Sequence, residues 1–193
     1  MSQNLMDHET DSSSGWLKQY YFIRFAVSVL WVIAAFTVAQ SSMALAAILL
    51  IAYPAWDALA NLLDANRNGG LGANRTQALN FAVSVVTTIA VIVALRLGLG
   101  AVLAVYGVWA ILSGLLQLAT ALGRWKSYGA QWSMVLSGAQ SALAGVFFVV
   151  FARNGGDGAV ATIAGYAAFG AFYFLVSAIW LAVTDARRKT SSD

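Results

Sequence analysis

Residues 100–122 read Gly100-Ala101-Val102-Leu103-Ala104-Val105-Tyr106-Gly107-Val108-Trp109-Ala110-Ile111-Leu112-Ser113-Gly114-Leu115-Leu116-Gln117-Leu118-Ala119-Thr120-Ala121-Leu122, with no charged side chain in the run. A helix rises about 1.5 Å per residue, so this stretch is roughly 34 Å long and crosses the ~30 Å hydrocarbon core of a bilayer. Lipid offers no water to backbone N–H and C=O groups, so a continuous helix is the conformation that satisfies them. Runs of the same kind lie on either side, near 19–39, 43–64, 77–95, 131–152 and 158–183. Polar or glycine-rich joints separate them, and the ten-residue alternation of transmembrane strands is absent. The expected fold is an all-α membrane protein with six transmembrane helices.

Composition agrees with that reading. Of the 193 residues, 60% are hydrophobic and 10% charged, against about 25% charged in soluble domains. Residues 1–18 form a polar tail, 19–183 the transmembrane domain and 184–193 a basic tail. The chain has no cysteine, which excludes disulfides and thiolate metal sites, and its one histidine, His8, lies in the first tail. The net charge of +3 does not imply nucleic acid, because the basic residues sit in joints and tails rather than along one face. Asp7, Glu9 and Asp11 precede the first apolar run where a secretory signal would carry basic residues, so that run is read as a retained span.

Orientation follows from the cations. Lys18, Arg24, Arg67, Arg75, Arg124, Lys126, Arg187, Arg188 and Lys189 fall on one side of this threading, and only Arg96 and Arg153 on the other. The positive-inside rule then predicts that both termini are cytoplasmic. Trp16, Trp125, Trp132 and Trp180 lie near the same boundary, as an interfacial aromatic belt requires.

The spans also repeat. Phe25-Ala26-Val27-Ser28-Val29 recurs as Phe81-Ala82-Val83-Ser84-Val85, and Met134-Val135-Leu136-Ser137-Gly138 is a weaker copy. Tyr53-Pro54-Ala55-Trp56 with Leu59, Leu62 and Leu63 matches Tyr106-Gly107-Val108-Trp109 with Leu112, Leu115 and Leu116. Gly158-Ala159-Val160 echoes Gly100-Ala101-Val102, and Gly165 answers Gly107. The predicted unit is a two-helix hairpin used three times, near 19–64, 77–122 and 131–183. An even number of helices per unit gives all copies one orientation, unlike the inverted repeats of many transporters.

The hairpin pattern, best in Val105–Leu118 and Trp132–Gly138, resembles the HdeD-like acid-resistance membrane proteins, a family built on a short two-helix repeat. The first hairpin departs from it, with Pro54, Asp57 and Asn61 where the second has Gly107, Ala110 and Gly114. The resemblance implies a multi-pass inner-membrane component linked to acid or envelope stress, and it supplies no catalytic residues. A small proton, ion or solute channel or transporter is a competing reading, and a scaffold for another membrane protein is a third.

Within the spans, Asp57 and Arg24 carry charges whose isolation in lipid costs several kcal/mol. Neighbouring antiparallel spans place them at similar depth, so an intramembrane ion pair is expected, with Asn61, Asn80 and Gln117 extending a polar cluster. Pro54 removes a helical N–H and is expected to kink the second span. Ser137, Ser141 and Gly145 form one ridge of small residues, and Gly114 and Gly165 belong to two others; all are read as helix-packing positions. Asp64, beside Arg67, reads as a solvated helix end.

Asn68-Gly69-Gly70-Leu71-Gly72 and Asn154-Gly155-Gly156-Asp157-Gly158 lack the Lys-Ser/Thr ending of a phosphate loop and read as turns. No histidine, paired carboxylate or ligand cluster stands ready within the spans. Neither enzymatic activity nor a metal or cofactor is expected. The expected partners are the lipid bilayer and, left open, a second copy of the chain or another membrane protein.

Overall fold

A computed structural model describes residues 2–39, 41–123 and 131–190. It contains six α-helices: α1 Ser2–Thr37, α2 Met43–Arg67, α3 Arg75–Ala94, α4 Leu99–Gly123, α5 Gln131–Phe151 and α6 Ala159–Thr190. A short 3-10 turn, Ala152–Asn154, follows α5. No strand occurs among the described residues. Each of the six helices contains a segment long and apolar enough to cross a membrane. The chain is a multi-pass α-helical membrane protein. Two helices run well past the expected spans, the others departing from theirs by three residues or fewer: α1 begins at Ser2, within the polar tail, and α6 continues through the basic residues to Thr190.

The distribution of side chains is that of a protein in lipid. Leu30, Ile48, Val86 and Leu143 are each more than 60% exposed, a cost that water would not tolerate across so many neighbouring positions. The interior combines a few large side chains, among them Leu50, Leu103 and Tyr106, with many small ones such as Ala35, Ala46, Ala58, Ala60, Ala65, Ala94, Ala110 and Ala121. Small side chains let helix backbones approach where no hydrophobic driving force separates protein from lipid.

Helix ends are set by local chemistry. Ser42 accepts a hydrogen bond from the Leu45 N–H and starts α2, and Asn74 accepts from the Gln77 N–H and starts α3. The turn after α2 needs Gly69 and Gly70 at φ +91° and +87°, a region costly for any residue with a Cβ. The second glycine run closes the turn between α5 and α6 in the same way, with Gly155 and Gly156 at positive φ.

Contacts divide the chain into two compact units. One comprises residues 1–33 and 167–193, and the other residues 34–166. In the first unit, the Lys18 ammonium meets the Asp185 carboxylate at 3.1 Å. In the second, α3 packs against both α2 and α4, and the most extensive contact joins α4 to α5.

That α4–α5 contact is governed by four glycines. A Cβ placed on Gly114 would stand 2.5 Å from the Gly138 carbonyl oxygen and 2.7 Å from the Ala142 nitrogen. A Cβ on Gly107 would stand 2.7 Å from the Gly145 carbonyl oxygen, and one on Gly145 would collide with that of Gly107. Gly107 and Gly114 are seven residues apart on α4, as are Gly138 and Gly145 on α5, so the pairs repeat in one antiparallel register. Backbone touches backbone there, and even alanine is too large.

Candidate functional site

The second unit holds a polar network in the membrane-spanning part of α2, α3 and α4. Asp57, Asn61 and Asp64 recur at i, i+4 and i+7 and therefore share one face of α2. Gln77 and Ser84, seven residues apart on α3, meet Asp64 and Asp57 respectively. The Ser84 hydroxyl donates to Asp57 Oδ2 at 2.7 Å, and the Asn61 side-chain amide donates to the same oxygen at 2.9 Å. From α4 the Trp109 indole N–H donates to Ser84 Oγ at 3.3 Å. An indole nitrogen can only donate, so the single Ser84 hydroxyl proton is left to point at Asp57. The network is directional and ends on a carboxylate oxygen that acts purely as acceptor.

Asp57 lies ten residues before the end of α2 and Ser84 nine residues after the start of α3, a depth of roughly 14 Å from the Arg67–Arg75 end. Hydrogen bonds to a carboxylate there lower the cost of holding it away from water. Toward the same end, Asp64 accepts from the amides of Gln77 and Asn68 and is 6% exposed. The expected solvated helix end is therefore a buried joint between α2 and α3. The reason is local: the Asn74 cap turns α3 so that the Gln77 side chain lies over the last turns of α2.

Pro54 shows what its missing N–H does. The carbonyl four residues earlier, Leu50, has no helical donor, and the Tyr106 hydroxyl from α4 donates to it at 2.7 Å. Leu50 and Tyr106 are fully buried. The Tyr106 ring stands edge-on to Trp109, which also meets Tyr53 edge-on. One face of α4 thus grips α2 twice, directly at Leu50 and through Ser84 at Asp57. In the same unit, the Tyr166 hydroxyl donates to Ser141 Oγ at 3.1 Å.

Of the other expected cluster members, Asn80 and Gln117 are half-buried on α3 and α4 and are not hydrogen-bonded to Asp57 among the described residues. Arg24 belongs to the first unit, where Nη1 donates to the Tyr20 hydroxyl at 2.9 Å and the guanidinium lies 4.4 Å from the centre of the Phe174 ring. Among the packing positions, Gly114, Ser141 and Gly145 lie at the α4–α5 contact and Ser137 is half-buried on α5. A Cβ on Gly165 meets nothing within 4 Å. No three histidine, cysteine or acidic side chains among the described residues converge on a point that would hold a metal ion.

Sequence reasoning passed over Ser84, Trp109, Gln77, Gly107 and Gly138 as site residues. A signal exists for all of them but Trp109: matched seven-residue spacings, Asp57/Asp64 with Gln77/Ser84 and Gly107/Gly114 with Gly138/Gly145. Such matches mark antiparallel neighbours, but they are visible only once the neighbours are known. The chain matches no family model, no curated protein and no solved structure.

Proposed function

We propose that this protein is a non-catalytic component of a bacterial inner membrane with both termini in the cytoplasm, serving in acid or envelope stress as its likeness to the HdeD-like proteins implies. The observation that supports a non-catalytic role is how the polar groups within the spans are used: half-buried Asp57 and buried Ser84, Trp109 and Asn61 bind one another and tie three helices together. The loops at the opposite end carry Arg96, Arg153 and Asp157, all exposed. In this orientation they face outward, and Asp157 is the single carboxylate among them. Such a surface withstands acid without changing its fold. The test is survival: cells lacking the gene should die faster in external acid and recover with the wild-type gene. Unchanged survival would refute the stress role.

A second reading, passage of protons or a small solute, is favoured by one feature, the ionisable Asp57 within the membrane. Purified protein in liposomes should then carry a proton or ion flux above that of empty vesicles, abolished by Asp57→Asn. The paired-charge reading of Arg24 and Asp57 has its own test. Exchanging the two residues should restore expression lost in either single charge reversal.

A further inference from the structure

The interior of the second unit is tight at one end and looser at the other. On α3, Ser84, Thr87, Val91 and Ala94 are buried. Asn80 lies one turn before Ser84 on the same face and is only half-buried, as is Gln77 before it. The same change runs along α4. Val102, Leu103, Tyr106 and Trp109 are buried, while Ser113 and Gln117, four and eight residues beyond Trp109, are half-buried. Packing therefore loosens on both helices toward the Arg67–Arg75 end, where α3 begins and α4 finishes.

The side chains left partly open there are polar. The amides of Asn80 and Gln117 and the Ser113 hydroxyl make no hydrogen bond to a described residue. Asn80 lies five residues inside α3 and Gln117 six residues inside the end of α4, roughly 8–9 Å deep, and Ser113 reaches roughly the 14 Å of Asp57. Hydrocarbon cannot satisfy an amide or a hydroxyl, and leaving one unbonded in it is costly. Water can satisfy all three. Beyond Asp57 the polar path stops: Leu50, Pro54, Val91, Leu103 and Tyr106 are fully buried. The Tyr106 hydroxyl is spent on the Leu50 carbonyl, and the Thr87 hydroxyl on the Val83 carbonyl of its own helix.

We infer that the space between α2, α3 and α4 is an aqueous inlet, open at the Arg67–Arg75 end and closed at the other, that presents the Asp57 carboxylate to small cations in water. An ionisable side chain within a span is stable where it faces such a cavity. Asp64, nearer the mouth, is held by Gln77 and Asn68, so Asp57 is the charge at the blind end. The inlet rests on neither reading above: it requires no stress role, no flux and no particular orientation in the membrane.

The chain has no cysteine, so single-cysteine variants of the full-length protein each report one position. In proteoliposomes of biased orientation they are treated from outside with membrane-impermeant methanethiosulfonates, one cationic and one anionic. Asn66→Cys and Asn154→Cys, both at exposed positions, mark the two ends. The labelled fraction of N80C, S113C and Q117C should follow the Asn66→Cys marker. Their rates should exceed those of Leu79→Cys and Leu115→Cys roughly tenfold or more, because a thiol in lipid forms no thiolate; those two positions lie at similar depth and are each 52% exposed. In S113C and Q117C, the ratio of cationic to anionic rates should fall roughly threefold on adding Asp57→Asn. Arg67 and Arg75 act alike in both backgrounds and cancel. Reaction no faster than at the two leucine positions, or a labelled fraction that follows Asn154→Cys, overturns the inference. So does an unchanged ratio, since the inlet would then end short of Asp57. Ser113→Cys replaces one atom, and if the other two variants do not fold it decides alone: its protection overturns the inference.

Discussion

Tyr106→Phe removes one oxygen and keeps the ring that packs edge-on against Trp109. What is lost is the 2.7 Å hydrogen bond to the Leu50 carbonyl, which Pro54 leaves without a helical donor. A buried acceptor left unsatisfied costs about 1–3 kcal/mol in soluble proteins. Interhelical hydrogen bonds in membranes average nearer 0.6 kcal/mol and reach about 1.7, because the unfolded chain in lipid also finds partners. Full burial of both residues places this bond at the upper end, and we expect a loss of about 1–2 kcal/mol. The decisive measurement is a double-mutant cycle with Pro54→Ala. An alanine N–H restores the helical donor, so the Tyr106 hydroxyl becomes redundant and Tyr106→Phe should then cost less than about 0.5 kcal/mol. Reversible unfolding in mixed detergent, followed by tryptophan fluorescence, reads all four corners. An equal cost in both backgrounds, or none with Pro54 present, would refute the account of the proline clasp.

Other substitutions test separate parts of the structure. Gly114→Ala drives a Cβ into the α5 backbone and should cost about 1–3 kcal/mol, whereas Gly165→Ala enters open space and should lie within about 1 kcal/mol of wild type; comparing unfolding midpoints decides. Asp57→Asn keeps an acceptor oxygen for Ser84 and Asn61 and should cost less than about 1 kcal/mol. Asp57→Leu strands those donors and should cost about 1–3 kcal/mol. Equal losses would mean that the charge, rather than the acceptor, is what the helices use. Breaking the partly exposed Lys18–Asp185 pair with Asp185→Asn should change stability by no more than about 1 kcal/mol, and by less in high salt. A larger, salt-insensitive loss would place the pair away from solvent.

The spans were legible because length and apolarity are properties of each segment alone. The 43–64 run became α2 with the same first residue, and the 100–122 run became α4 within one residue at each end. Ends were legible where a cap, a glycine or a charge marked them. Partners were not. Asp64 beside Arg67 resembles any charged helix end until Gln77 is known to lie across from it. Gly107 and Gly138 likewise look like ordinary helix glycines until their backbones are found in contact. The expected threefold repeat concerns likeness along the chain, while the most extensive contact of the second unit, α4 with α5, joins one predicted repeat to the next.

By itself, then, the sequence determined that this chain is a set of membrane-crossing helices and where each one runs. Hydrocarbon admits only long apolar segments with their backbones bonded internally, and that rule acts residue by residue. The faces through which the helices meet were decided in the tertiary structure alone. In lipid a leucine gains nothing by turning inward, so hydropathy does not distinguish the packed side of a helix from its exposed side. Shape and hydrogen bonding make that choice, through glycine against glycine, tyrosine against a proline-freed carbonyl and serine against a carboxylate. Each of these exists only between two helices.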